Sequence, residues 1–435
     1  MKRTDFSVDW LFAACAPDTE LLPWNAQFTP VDLPHDWQIR HADDLYRDGT
    51  LFYRKYFFVT DVPGTRRMLW FGGAYMDTTV FVNGTEVGQW KYGYTSFWFD
   101  ITDALHEGQN EVLVRCNLRH PNSRWYSGAG LYRNVELWEA PDLHLMPDGL
   151  YVAAKEGDNG AWTVAVTAEV GSVTAASAGC TLTLHLTDDN GSLLGTAAIP
   201  ADAWVALPSP DGWRTGKETA IYKASHTFTL QDPALWDLDA PNFYHITAEL
   251  TGADGVTDTL TTRFGCRTIE ATPDCGLLVN HKRVLIKGVC IHHDFGCLGS
   301  AFEYSAAKRQ LEILKSMGVN SIRTGHTPPA PQFMDLADEM GILMDVESFD
   351  CWRRGKNPYD YGRFFDEWQE KDVAAWIRRD RNHPSGFRGR GHNADAAGRG
   401  RRARPCAQRH PNARFQLHAV GKYTALCRYH QGRGL

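Results

Sequence analysis

From Thr4 to about Ala140 apolar and polar positions alternate in short runs: LFYRKYFFV (51–59), TTVFVNGTEVG (78–88), TSFWFDIT (95–102) and NEVLVRC (110–116). A period of two marks a strand with one buried face. Asn83-Gly84 falls between two such runs, and both residues tolerate the positive φ of a type I′ hairpin turn. The pattern predicts an all-β sandwich. A second strand-rich stretch, from about Leu143 to Phe264, contains WTVAVTAEV (162–170), CTLTLHLTD (180–188), SHTFTL (225–230) and YHITAEL (244–250). Its length of about 120 residues and its turn signals, Asn190-Gly191 and Asp211-Gly212, suit a smaller sandwich of the immunoglobulin type. Neither stretch holds a helical pattern of useful length.

After Gly265 the period changes. VLIKGV (284–289) is a short apolar run, and from Ser305 onward Ala307, Leu311, Leu314 and Met317 stand at helical spacing, with Gly318 as the C-cap candidate. SIR (321–323) reads as a strand, and Pro331 opens a second helix with Phe333, Ala337 and Met340 on one face before Gly341. ILMDV (342–346) is the third strand. Phe364 to Asp380 is the third helix, with Trp368, Val373, Trp376 and Ile377 turned inward. Strands alternating with helices predict a parallel βα sheet or barrel. A complete eight-stranded barrel takes about 250 residues, whereas Glu270 to Ser385 supplies 116, enough for three βα units.

Composition bounds the rest. With 435 residues, 43% hydrophobic and 22% charged, the chain suits two to four domains with cores of their own and excludes general disorder. No run approaches the ~18 apolar residues of a membrane span. The opening MKRTDFSVDWLFAACAPD has its apolar run interrupted by Asp5 and Asp9, so no secretory signal is read there. Ten cysteines without a C-x-x-C pair fit reduced thiols in a cytoplasmic protein. The net charge of −7 hides an asymmetry: residues 386–435 carry +10, and the first 385 carry −17. Two kinds of sequence meet near Ser385.

The candidate chemistry lies at the C-terminal ends of the three predicted parallel strands, where barrels build their active sites. His292-His293-Asp294 follows the first, Arg323-Thr324-Gly325-His326 the second, and Glu347 with Asp350-Cys351-Trp352 the third. Each has a plainer reading. The histidines could hold a metal, but neighbours on a strand end point to opposite sides and no third ligand stands at suitable spacing. Arg323 could form a structural ion pair with Asp345 or Glu347, and Asp350 could cap the following turn.

The stretches LLVNHKRVLIKGVCIHHDFGCLGSAF and LEILKSMGVNSIRTGHTPPAPQFMDLADEMGILMDVESFDCW resemble the start of the barrel in glycoside hydrolase family 2, especially its β-galactosidase-like members. Upstream, LPHDW (33–37), FGGAYMDTTVFVNGTEVG (71–88) and WYSGAGLYRNVELW (125–138) resemble that family's amino-terminal sugar-binding domain. LWDLDAPNFYHITAEL (235–250) and RFGCRTIE (263–270) resemble the end of its immunoglobulin-like domain. The resemblance implies a multidomain β plus α/β fold: a jelly-roll β-sandwich (1–141), an immunoglobulin-like β-sandwich (142–267), then an incomplete (β/α)8 TIM barrel (268–385). It also implies hydrolysis of β-galactoside-like substrates, with β-glucuronidase, β-mannosidase or a non-catalytic carbohydrate-binding role as alternatives. The substrate pocket is expected to be lined by His292, Asp294, Arg323, His326, Asp350 and Trp352. Neither cofactor nor metal is expected, and the partner is an oligosaccharide or glycoside, with no nucleic acid and no membrane.

Family members use two glutamates, one protonating the leaving oxygen and one attacking the anomeric carbon, about 5–5.5 Å apart. By resemblance the acid/base follows a motif that begins DRNHPS and continues through an apolar run and a Trp to an Asn-Glu pair, and the nucleophile lies on strand seven. Residues 380–385 read DRNHPS, and GFRGRGHNADAAGRGRRARP comes next, with no Glu after Glu370. No catalytic residue is therefore assigned, and the chain alone is expected to be inactive. The basic segment 386–435 admits three readings: single-stranded nucleic-acid binding through its Arg-Gly runs, a solvated disordered tail, or a change of reading frame in GC-rich DNA, the one adopted.

Overall fold

A computed structural model describes residues 1–41, 43–60, 64–173, 179–208, 216–252 and 255–386. The basic segment after Gly386 and the Asp211-Gly212 turn lie outside the described residues. The first sandwich packs a six-stranded sheet on a four-stranded one. The larger runs Thr29–Val31, Trp10–Cys15, Gly49–Val59, Gly108–Leu118, Thr78–Val82 and Thr85–Trp90, and the smaller Lys2–Asp5, Val135–Pro141, Thr65–Phe71 and Phe97–Asp100. Along Gly108–Leu118 every second residue from Asn110 to Leu118 is buried, the period-two signature of a face turned to a core. Leu51, Leu69, Val80, Val112 and Val114 meet there without exposure. The predicted hairpin turn joins Val82 to Thr85, with φ +49° at Asn83 and +80° at Gly84.

The second sandwich repeats the scheme. Ala161–Ser172 pairs with Leu143–Leu145, Tyr151–Glu156 and Ala220–Gln231, and faces a sheet of Leu193–Pro200, Thr181–Asp188, Tyr244–Gly252 and Gly255–Phe264. Val164, Leu182, Leu184, Ile246 and Leu250 form its core. A three-stranded antiparallel hairpin (269–283) leads into the βα region.

There, three parallel strands, β1 (Gly288–Ile291), β2 (Ser321–Thr324) and β3 (Leu343–Val346), align Cys290 with Arg323 and Arg323 with Asp345. Helix α1 (Tyr304–Ser316) ends at Gly318, φ +86°, as expected of a C-cap glycine. Helix α2 (Pro331–Glu339) carries Pro331 at its first turn and stops before Gly341, where a Cβ would lie 2.1 Å from the Leu238 carbonyl oxygen. Ala307, Leu311, Ile322, Phe333, Ala337 and Met344 close the core beneath. No helix among the described residues is long and apolar enough to cross a membrane.

Three expectations are corrected. Only the end of VLIKGV is strand, because the Asn320 side chain occupies the backbone ahead of it, accepting from Lys287 N–H and donating to the Leu285 carbonyl. Met317 stands 74% exposed, just past the helix end, rather than on its packed face. Helix α3 (Phe365–Asp380) has the buried face the spacing predicts, but that face enters the first sandwich: Phe365 and Val373 belong to its core, and Trp368 meets Trp90 edge to face at 5.6 Å. Between them Asp372 is fully buried, accepting from Thr95 Oγ1 at 2.8 Å and from the Tyr361 hydroxyl.

The DRNHPS segment ties these parts together. Asn382 accepts from Val152 N–H and donates to the Leu150 carbonyl and Thr262 Oγ1, anchoring it to the second sandwich. His383 pairs with Asp338 of α2 at 2.6 Å, and Ser385 N–H donates to the same carboxylate. Met344 N–H donates to the Ser385 carbonyl at 2.8 Å, so the chain reaches Ser385 alongside the outer edge of β3.

Candidate active-site rim

Strand alternation fixes which side chains share a face. Cys290 and His292, Arg323 and Gly325, Asp345 and Glu347 follow one face of the sheet, and the intervening positions turn to α1 and α2. The neighbouring histidines separate accordingly. His292 is exposed, while His293 is half-buried against the first sandwich, its Nε2 2.9 Å from the Ser127 carbonyl oxygen and its ring beside Tyr94 and Tyr132. Burial pushes the His293 pKa down to about 3, against the opposing bond to Ser127, so it is a neutral packing residue.

At the centre stands Glu347. Its Oε2 accepts from Arg323 Nη2 at 2.6 Å and lies 2.8 Å from His326 Nδ1. Burial alone would raise this carboxyl, but the bonds from His326 and Arg323 outweigh it and hold it below its ordinary value. Arg323 also reaches Cys290 Sγ at 3.4 Å. The ion pair weighed as the plainer reading of Arg323 is thus formed with Glu347, at the rim itself.

Asp350 does not cap the following turn. That role falls to Asp360, which accepts from Lys356, Asn357 and Gly362 N–H. Asp350 instead accepts from Arg124 Nη2 at 2.6 Å and Nε at 3.2 Å, and from Lys356 Nζ at 2.5 Å. Burial raises its carboxyl, and the two cations more than reverse that shift. Trp352 is half-buried, its ring 5.7 Å from Phe349 and 5.5 Å from Phe365. Asp294 is half-buried too, and its charge adds to the burial and the Asp36 carboxylate that push the Tyr126 hydroxyl up.

Two rim residues escape a local reading of the sequence, Arg124 and Trp125 from the first sandwich. Trp125 stacks on His292 with centroids 5.2 Å apart and planes 6° from parallel, and leans on His326 at 5.4 Å. The junction that brings them there is built on Asp36 of LPHDW, which accepts from Tyr126 Oη, Ala129 N–H, and the N–H and hydroxyl of Ser300 in the β1–α1 loop. Arg133 is buried beside it and donates to the Gly72, Tyr94 and Pro328 carbonyls.

Asp335, Asp338 and His383 offer three ligand atoms within 4.8 Å of one another. The Arg263 guanidinium sits 3.5 and 3.6 Å from the two carboxylates, and Asp338 already holds His383 and Ser385. The cluster is satisfied as a structural knot.

Two β-sandwiches leading into parallel βα units with a polar C-terminal rim define a multidomain β plus α/β architecture. Three family profiles match in order: glycosyl hydrolases family 2 sugar binding domain over 24–141, glycosyl hydrolases family 2 over 148–267, and the family's TIM barrel domain over 271–386. The chain belongs to glycoside hydrolase family 2. It is 36% identical to beta-galactosidase BoGH2A of Bacteroides ovatus over 405 residues, which covers 89% of this chain and 46% of that one. It is 28% identical to a beta-glucuronidase of Bacteroides fragilis, covering 83% and 54%. Among solved structures, a glycosyl hydrolase family 2 member from Bacteroides cellulosilyticus superposes with a TM-score of 0.79 at 29% identity, covering 89% and 51%. The chain spans about half the length of the relatives it matches.

Proposed function

We propose that this chain forms the substrate-facing part of a retaining β-glycosidase acting on β-galactoside-like substrates. In this reading His292, Asp294, Arg323, His326, Asp350 and Trp352 meet the sugar, and the two carboxylates of the double displacement are not among the described residues. The observation that carries it is the Arg323–His326–Glu347–Asp350 constellation on one rim. Charged donors and acceptors held in fixed geometry there suit hydroxyl groups, which both donate and accept. In the reaction, one carboxylic acid protonates the leaving oxygen while a carboxylate attacks the anomeric carbon. The leaving alcohol departs, and water, deprotonated by the first group now acting as base, attacks the anomeric carbon of the glycosyl-enzyme and displaces the carboxylate, freeing the sugar.

Calorimetry with galactosides and glucuronides, run beside release of nitrophenol from the aryl glycosides, tests this. Heat with galactosides that is lost in His326→Ala, without product, is the expected result. Turnover at about 1 s⁻¹ or faster would overturn the placement of the carboxylates. Heat with glucuronides alone would reassign the substrate, and no heat with either would overturn the reading.

A further inference from the structure

Within four consecutive residues, Arg124 to Ser127, the first sandwich touches the rim beyond the C-terminal end of each of the three parallel strands. Trp125 stacks on His292 after β1 and leans on His326 after β2, Arg124 grips Asp350 after β3, and Ser127 accepts from His293. The segment is itself braced from behind. Asn122 Oδ1 accepts from the Tyr75 hydroxyl at 3.1 Å and the Ser127 hydroxyl at 3.3 Å, and its Nδ2 donates to the Arg119 carbonyl at 2.7 Å.

We propose that Arg124 and Trp125 are positioning residues of the rim, so that the geometry of the sugar site is set jointly by the first sandwich and the βα units. This rests on the reading of the rim as a glycoside site. A carboxylate on a loop is free to turn about its Cβ–Cγ bond. The Arg124 fork fixes its plane, because Nη2 and Nε engage different oxygens, while Lys356 supplies a second charge to Oδ1 alone. An exposed imidazole is likewise free to change rotamer, and stacking on the indole selects one orientation for His292. The Arg124 side chain is 51% exposed, so its contribution is to the aim of Asp350 rather than to the core.

The test uses the full chain and readouts that do not depend on turnover. With aspartate labelled at the carboxyl carbon, NMR titration of Arg124→Gln should show the Asp350 pKa rising, and Arg124→Lys should restore it by returning the charge. Galactoside affinity should fall about tenfold in Arg124→Gln and stay low in Arg124→Lys, which lacks the fork. In Trp125→Ala the Cε1 protons of His292 and His326 should lose their ring-current shift, and Trp125→Phe should keep part of it. Unmoved histidine signals in Trp125→Ala, or an unmoved Asp350 pKa in Arg124→Gln, would overturn the proposal. If the wild-type chain binds no galactoside, the glycoside reading fails, and the two NMR measurements still decide the positioning.

Discussion

The first sandwich and the three parallel strands treat their two faces differently. In the sandwich, Val80, Val112, Val114 and Cys116 are wholly buried because the second sheet lies over them. In the βα region, Ile322 and Met344 are as completely buried beneath α1 and α2, yet across the same strands Cys290 is exposed and Arg323 and Asp345 are half-buried. Where the sandwich face carries Val and Cys, the strand face opposite α1 and α2 carries Arg323, Asp345 and Glu347. Apolar core and polar rim are thus divided between the regions. The sandwich supplies most of the core, the strands supply the polar rim, and α3 belongs by sequence to the second and by packing to the first.

The largest test of that division is Phe365→Ala in α3. It should cost about 3–5 kcal/mol and shift one unfolding transition seen alike by tryptophan fluorescence and far-ultraviolet dichroism. Two transitions, with the one reporting the sandwich unmoved, would break the claim that α3 is part of its core.

Acid sharpens the comparison, because each region holds a neutral histidine, His35 buried in the sandwich and His293 half-buried behind the rim. Burial, aided by Arg40, lowers the pKa of His35 in the sandwich to about 4, and His293 behind the rim lies at about 3. Both folded values sit below the ordinary one, so the unfolded chain takes up protons first. Stability is complete above about pH 6.5 and is lost as the pH falls, by roughly 2 kcal/mol for each histidine at pH 5. Urea midpoints at pH 7 and pH 5 measure the loss, and equal midpoints would contradict it.

Asp372, at the seam between the regions, has the opposite sign. Burial pushes its carboxyl up to about 7, against the bonds from Tyr361 and Thr95. A raised folded value means that the penalty is absent below the ordinary carboxylate range and accumulates as the pH rises toward 7. Asp372→Asn should therefore gain on wild type between pH 5 and pH 8, by about 3 kcal/mol. A difference between the two proteins that stays flat with pH would show that the carboxylate is not held in its costly form. The smallest effect is expected at Met317, where substitution by Lys should change stability by no more than about 0.5 kcal/mol, since the side chain is 74% exposed.

Local signals made much of this legible in the sequence. The Asn83-Gly84 hairpin, the glycine ending α1 and the proline opening α2 need only their immediate neighbours, and each stands where the pattern puts it. The three rim clusters are readable because strand ends in a βα pattern are countable. The residues that reach them from afar are not. Arg124 and Trp125 lie some 165 to 225 residues before the side chains they touch, in a loop whose composition has no periodicity to mark it. For the same reason the apolar face of α3 is legible and its partner is not: spacing shows that a face is buried, never against what. Asp372 within that face has no signal at all, since the groups that donate to it, Thr95 and Tyr361, come from two other segments.

The seating of α3 also sets the unit in which this architecture can be inherited. A recombination crossover placed at the sequence boundary near 268, joining the sandwiches of one relative to the barrel of another, would deliver a helix whose Phe365, Trp368 and Val373 were fitted to a different protein's counterparts of Trp90 and Thr95. It would equally separate Asn382 from the Val152, Leu150 and Thr262 groups it bonds. Chimeras that exchange residues 1 to 386 as one block keep every such pair, so the smallest portable module here is larger than the domain.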